Sequence, residues 1–442
     1  MTLAHKLDPG AWQPEIEIVP YRLDNGLKLF VLPDSRSPVV SLQLHYHVGS
    51  RHELPGITGI SHLFEHLMFR GSETLGPEEF SRILQAKGGE INAFTTRDHT
   101  SYFENLPGEH LELGLQLEAD RLANLKLNEE NFQTERQVVI SERKLRSVDS
   151  PFGLLLEQLF AAAFTQHPYQ WPVIGWDQDL RRMSLRECLS YYRTYYHPGN
   201  LTVVIAGDAE PDRARDLVTK YLGAIPSPGP PAPLRVQEPP QRGERRAVLK
   251  KVSQVEALFA GFHIVGLGHP DIYPLSLLAI ALSGGKSSRF YQEFVRPGRA
   301  VDLEVEVAHP PWTSEDADLL VVTAIAAPGH SLPQLEEDLW AALSRVLEEG
   351  VQPGELARAK KLLRAQAARA LARNFYRGLL VGLFDLKTGD AHRVNELLKL
   401  YEAVTLEDLE RVAREYLRED NRTVVTLKPV SPGESEALGP LV

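Results

Sequence analysis

The feature that most restricts how this chain folds is a repeat spaced at half its length. The segment SLRECLSYYRTYYHPGNLTVV begins at Ser184 and TLEDLERVAREYLREDNRTVV at Thr405, an offset of 221 in 442 residues. Without a gap, Leu185 falls on Leu406, Tyr195 on Tyr416, Asn200 on Asn421, and Thr202-Val203-Val204 on Thr423-Val424-Val425. Each copy reads as a helix opened by a hydroxyl N-cap, Ser184 or Thr405, then an Asn turn, then a β-branched strand. Such a unit, recurring at half-chain spacing, implies a duplicated domain. Between the copies, Ile225 to Arg246 (IPSPGPPAPLRVQEPPQRGERR) holds seven prolines and no apolar periodicity. That is the composition of a semi-rigid extended linker. The expected organisation is a first domain over 1–225, a linker over 226–246 and a second domain of similar fold over 247–442.

Each half mixes the periods of strand and helix. Leu27–Leu32 and Val39–Val48 alternate as strands, Gly59–Phe69 and Pro77–Gln85 read as helices, and Ile91–Leu106 as a hairpin. Helices are expected over Leu111–Ala123 and Asn128–Arg146, and a strand over Leu201–Ala206. The second half follows a similar order: strand Ala257–Val265, helix Pro274–Leu282, strands Leu303–Val307 and Leu319–Ala326. Helices Leu332–Glu349, Pro353–Asn374 and Leu406–Leu417 then follow. Strand pairs followed by paired helices predict an α+β fold, with a mixed β-sheet and helices packed on it in each domain.

Composition removes several function classes. With 48 basic and 59 acidic residues (net −11), nucleic acid is not an expected partner. The lone cysteine, Cys188, excludes an intrachain disulfide and a multi-cysteine metal site; beside Leu189 in an amphipathic helix it reads as a buried filler. No window reaches ~18 uninterrupted apolar residues, so no membrane span is expected. The start, MTLAHKLDPGAWQPEIEIVP, lacks the apolar run of a secretory signal and carries acidic residues foreign to a transit peptide, so a cytoplasmic location is expected. The basic residues of Glu355–Arg373 spread around the helix and read as a solvated surface.

The chemistry lies in Gly59-Ile-Ser-His-Leu-Phe-Glu-His-Leu-Met-Phe69. Ile60, Phe64, Leu67 and Met68 form an apolar stripe, and His62, Glu65 and His66 fall on the opposite face. Two imidazoles one turn apart can point at a single ion, with a carboxylate three residues from the first. This H-x-x-E-H order is the inverted zinc-protease motif. Chance supplies roughly one such arrangement in twenty chains of this composition. A catalytic zinc needs a third protein ligand and an open position for water. Asn128–Arg146 offers Glu135 and Glu142, two turns apart on one face, with Val138 and Val139 between them expected to pack inward. Spacing alone does not choose among Glu135, Glu142 and the more distant His45, His47, His52 and His99.

With these residues in view, the chain resembles the pitrilysin/insulysin family of inverted-motif zinc peptidases, in particular its half-length members similar to mitochondrial processing peptidase. The resemblance runs through YRLDNGLKLFV (Tyr21–Val31), GSRHE (Gly49–Glu53), GISHLFEHLMFRGS (Gly59–Ser72) and GGEINAFTTRDHTSYF (Gly88–Phe103). It continues through ERQVVISE (Glu135–Glu142), HPYQWPVIG (His167–Gly175) and YYHPGNLTVVIAGD (Tyr195–Asp208). It implies that the third ligand lies 76 residues beyond the second His, which here selects Glu142, and that Glu135 supports the metal shell. It further implies one zinc per chain on His62, His66 and Glu142, with Glu65 as the proton acceptor in peptide hydrolysis. Substrate would add as a strand along Gly89–Asp98, with Asn92, Ala93 and Phe94 lining the cleft. Active members carry an Arg followed seven residues later by a Tyr in a segment like Gly284–Val307. Here Arg296 is present but the position seven on is Leu303, which has no hydrogen-bond donor. The resemblance therefore implies a heterodimer, in which a related subunit supplies the Arg/Tyr pair.

Overall fold

A computed structural model describes residues 15–309 and 312–434; most of the N-terminal stretch read above for a targeting signal lies outside them. Among the described residues the strands form two sheets. The first contains β1 (Val19–Arg22), β2 (Lys28–Pro33), β3 (Val39–Tyr46), β4 (Glu90–Thr95), β5 (Thr100–Pro107) and β6 (Leu201–Gly207). The second contains β7 (Arg245–Lys251), β8 (Ala257–Ile264), β9 (Ala300–Glu306), β10 (Asp318–Ala326) and β11 (Arg422–Pro429). Their orders are β1-β2-β6-β3-β5-β4 and β7-β11-β8-β10-β9. Apart from β1 the two orders coincide, each with one parallel pair, β2 with β6 and β7 with β11. This is the α+β duplication expected from the repeat.

The repeat does the same physical work in each half. Ser184 and Thr405 both close capping boxes, with Glu187 and Asp408 as partners. Asn200 Nδ2 donates to the carbonyls of Tyr195 at 3.0 Å and His47 at 3.3 Å. Asn421 Nδ2 donates in the same way to Tyr416 at 2.8 Å and His263 at 3.0 Å. Each asparagine thus ties a helix end to the strand beside it, which explains why it stands in both copies.

The halves exchange helices. One face of the first sheet (Leu29, Val31, Leu42, Leu44, Val203) is covered by α1 (Ile60–Leu67) and α3 (Leu111–Asn124), with the short α2 (Glu79–Gln85) between them in the chain. Its other face (Phe30, Leu32, Val204, Ala206) is covered by Leu380, Val381 and Phe384 of the helix Asn374–Thr388 from the second half. Reciprocally, Leu249, Phe259, Leu319 and Val425 of the second sheet pack on Leu155, Leu159 and Phe160 of α5 (Pro151–Ala163), from the first half. The pattern reading did not foresee these two helices. They are apolar around much of their girth because they lie between sheet and neighbour, which erases the 3.6-residue period.

Other departures are local. Arg245 and Arg246, read as linker, begin β7 and pair with Thr423 and Val424 of β11. Upstream of them the Pro-rich segment is strapped down by Glu238, which accepts from the backbone N–H groups of Thr165, Gln166 and His167 at 2.9 Å each. In the helix Pro353–Leu371, Arg358 donates to the carbonyls of Ala281 and Gly284, and Lys360 to those of Glu402 and Val404. These two basic residues hold the C-terminal ends of the helices Ile272–Ser283 and Leu397–Ala403, where a purely solvated face was expected. Cys188 is fully buried. No described helix is long and apolar enough to cross a membrane.

A buried ionic network joins the halves beside the β4–β5 turn. Arg51 reaches Asp98 at 3.3 Å, Glu315 at 3.0 Å and Asp316 at 2.9 Å. Asp98 also accepts from Tyr169 Oη and from the backbone N–H of Glu315 at 2.9 Å, with the Lys387 ammonium 3.6 Å away. Burial pushes the Asp98 carboxyl up, but Lys387, Arg51 and these donors outweigh it and hold it well below the usual range.

Candidate metal centre

The site begins with how α1 is started. Gly59, its N-cap, has φ 89°, and a Cβ there would lie 2.5 Å from the carbonyl oxygen of Ile174. Only glycine fits this crossing of two backbone segments. The buried Glu53 carboxylate then accepts from the N–H groups of Gly59 at 2.8 Å and Ser61 at 2.9 Å, satisfying donors that a helix start leaves free. Burial raises its pKa to about 8, against those same N–H bonds. With Ile60, Phe64, Leu67 and Met68 buried as expected, His62, Glu65 and His66 are presented together.

The long helix α4 (Glu129–Arg143) brings both acidic candidates to these residues. Glu142 lies 3.9 Å from His62 Nε2 and 3.3 Å from His66 Nε2. Glu135 lies on the far side of the His66 ring, 3.2 Å from Nδ1. Val139 is buried between them, but Val138 is 40% exposed, contrary to expectation; successive helix positions point about 100° apart, so the two cannot share one inward direction. The choice left open by spacing is thus narrowed: Glu142 faces the two Nε2 atoms, and Glu135 faces the opposite ring nitrogen.

These donors fit a zinc ion. One ligand atom each from His62, His66 and Glu142 lies within 4.8 Å of the others, and ligands of a tetrahedral zinc stand ~3.4 Å apart. The observed spacing exceeds that by at most about 1.4 Å, and two imidazoles with one carboxylate suit zinc chemically. Burial, then His66 and Arg146, push His62 down to about 3, which leaves its imidazole neutral at pH 7 with a lone pair to give. Burial also pulls His66 down, but the bond to Glu135 and the charges of Glu142 and Glu65 outweigh it and raise it overall. A carboxylate only accepts, so the Glu135 contact favours a proton on His66 Nδ1, while Nε2, turned toward Glu142 and His62, is the atom that would meet a metal.

Glu65 is held toward β4. Thr95 Oγ1 donates to Glu65 Oε2 at 2.6 Å, and burial raises the Glu65 pKa against that bond. Among the described residues β4 is an edge strand paired only with β5, so its other side is open to another strand. Ala93 and Thr95 face α1, whereas Asn92 and Phe94 alternate to the opposite face. There Phe94 meets Trp312 of the second half, ring centroids 5.2 Å apart. The chain thus places Asn92, Ala93 and Phe94 on a free edge beside Glu65.

Arg296 stands elsewhere. It is exposed, follows the turn Tyr291–Val295 and donates to Gln292 Oε1 at 2.7 Å. Among the described residues no ion pair or hydrogen bond joins it to the His62–His66–Glu142 group. Leu303, seven residues on, is 3% exposed in the core of the second half.

Several residues at the centre escaped the sequence reading. Arg146 pairs with Glu142 at 2.9 Å, a contact its i, i+4 spacing signalled. Arg70 pairs with Glu135, and Thr95 and Glu53 act as described. The latter three meet their partners only after the chain folds back, so no periodicity marks them.

Residues 29–176 match the insulinase family, peptidase family M16, and residues 182–363 match the family's "Peptidase M16 inactive domain". The histidine motif lies within the first match; the second begins inside the first half, at residue 182, and crosses the linker into the second half. Over 441 residues the chain is 30% identical to the zinc protease PqqE of Helicobacter pylori, covering 97% of this chain and 96% of that protein. It is 27% identical to the uncharacterized zinc protease YmxG of Bacillus subtilis, covering 90% and 96%. The crystal structure of a protease from Helicobacter pylori superposes with a TM-score of 0.88 at 29% identity, covering 94% of this chain and all of that one. On matches to both halves and identity along nearly the whole length, the chain belongs to the insulinase family of peptidases, family M16.

Proposed function

We propose that this chain is the zinc-bearing subunit of a metallo-endopeptidase that cleaves peptides or unfolded segments in a closed chamber. The observation that carries the reading is the convergence of His62, His66 and Glu142 beside a half-buried Glu65, itself tied to a free strand edge. His62, His66 and Glu142 would hold one zinc ion, which when bound supplies Lewis-acid chemistry by acidifying a water molecule and polarising a carbonyl. An extended peptide pairs with the free edge of β4, so Asn92, Ala93 and Phe94 set its register. Glu65, with one oxygen held by Thr95, accepts the water's proton at the other and delivers it to the leaving amine. Glu135 holds His66 in the tautomer that leaves Nε2 free.

We further propose that catalysis requires a related subunit carrying the Arg/Tyr pair. Leu303 supports this, because a buried leucine cannot donate to a developing oxyanion, and Arg296 is engaged with Gln292. The test is metal analysis of the purified chain, with hydrolysis of quenched peptides of about ten to twenty residues, alone and with candidate related subunits. Expected are one zinc per chain, cleavage only on mixing, and a loss of at least ~10²-fold in Glu65→Gln. Cleavage by the chain alone would overturn the partner requirement. Absence of metal and of cleavage in every pairing would make the chain a non-catalytic assembly subunit.

A further inference from the structure

We propose that Thr95 is a positioning residue for Glu65, fixing the proton acceptor to the same strand that registers the peptide. The inference rests on the peptidase reading above and adds a residue to it.

The Thr95 hydroxyl is 2.6 Å from Glu65 Oε2, the one hydrogen bond that the described residues give this carboxylate. A carboxylate's terminal torsion is broad and roughly two-fold, so without that bond Glu65 would sample a range of orientations. Threonine suits the task because a β-branched side chain is restricted at χ1, and the strand itself then sets where Oγ1 points. Thr95 is the last residue of β4, paired with Thr100 of β5, and three residues later Asp98 enters the buried network with Arg51, Tyr169, Glu315 and Lys387. The end of β4 is thus anchored to the second half. A peptide paired with this strand takes its register from β4, and Glu65 takes its orientation from β4 through Thr95. Glu65 itself stands on α1, so the Thr95 bond ties the helix-borne carboxylate to the strand that sets the peptide's register.

The test compares Thr95→Val, which removes only the hydroxyl from a near-isosteric side chain, with Thr95→Ser, which keeps it. Both are made in the zinc-loaded protein, with its partner subunit if activity needs one. Expected in Thr95→Val is a fall in kcat of about ten- to a hundredfold. KM, the zinc bound per chain and the affinity for an uncleavable peptide should all stay within about twofold, since none of them uses the hydroxyl. Thr95→Ser should restore most of kcat. Should the valine protein not fold, Thr95→Ala against Thr95→Ser gives the same comparison. Unchanged kcat in the hydroxyl-free variants would overturn the proposal, as would a kcat loss matched by loss of zinc or of peptide affinity, or a serine variant no better than valine. Glu65→Gln separates the two levels: if it cleaves normally the peptidase reading fails, and if it is dead while Thr95→Val is fully active only the positioning role fails.

Discussion

His66 is the residue through which the outer shell acts on the metal position. Its Nδ1–H is committed to Glu135, whose carboxylate is itself paired with Arg70. Burial raises Glu135, but His66 and Arg70 outweigh it and keep its carboxyl below the ordinary range, so it stays an acceptor at neutral pH. Glu135→Ala should leave all three ligands in place yet weaken zinc binding by about 10- to 100-fold, read by competition with a chelator; equal affinity would remove Glu135 from the site. A second carboxylate has a different kind of consequence. Glu104 on β5 is fully buried and faces Glu118 and Arg121 of α3, with Tyr102 beside it on the same strand. Burial, reinforced by Glu118, pushes its pKa well above the ordinary value, and Arg121 opposes this only in part. A folded-state pKa raised above the unfolded one gives stability that is complete below about 4.3 and is lost as pH rises through the folded value. Glu104→Gln, permanently neutral, should therefore flatten the decline of unfolding free energy as pH rises above about 4.3, by about 1.4 kcal/mol per pH unit over the titrating range, read as a shallower fall of Tm with pH. Parallel Tm profiles for the two proteins would count against a neutral Glu104.

At the scale of elements, the site is a short helix set against an edge strand, and the helix depends on a backbone crossing. Gly59 and Gly175 both have positive φ (89° and 82°), and a Cβ on either would meet the other segment's backbone at 2.5 Å or less. Gly59→Ala should cost at least about 2 kcal/mol and tilt the start of α1, lowering both the denaturant midpoint and the zinc bound per chain. A variant with unchanged midpoint would show that this crossing is not tight. The same comparison explains what was legible in the sequence. His62, Glu65 and His66 share one turn, so their spacing shows them without a fold. The N-caps Ser184 and Thr405 likewise act within three residues of themselves. Glu142 became identifiable only through family resemblance, since Glu135 has equal helical standing and the two differ in which nitrogen of His66 they reach. Thr95 and Arg70 acquire roles through the approach of segments distant in sequence, and Glu53 through a loop that folds back on residues six and eight positions later; local periodicity carries no information about either.

For the whole molecule, the exchange of helices changes what the duplication means. Two copies joined by a Pro-rich segment suggest domains that could part at the linker. Yet α5 leaves the first half to cover Phe259, Leu319 and Val425, and the helix Asn374–Thr388 leaves the second to cover Phe30, Leu32 and Val204. The buried Arg51–Asp98–Glu315–Lys387 network crosses the same boundary. Cutting the chain between Ile225 and Arg245 would strip one apolar sheet face in each fragment, leave each exchanged helix without its sheet, and part Lys387 from Asp98 and Arg51 from Glu315, with a cost of about 3–5 kcal/mol for the fully buried Asp98–Lys387 pair. Residues 1–225 and 245–442 produced separately should therefore show no cooperative thermal transition and should bind a hydrophobic dye. Produced together they should recover one transition and, if the peptidase reading holds, the zinc. A single sharp melt from 1–225 alone, with zinc bound, would show that the exchanged helices are dispensable and that the halves are autonomous after all.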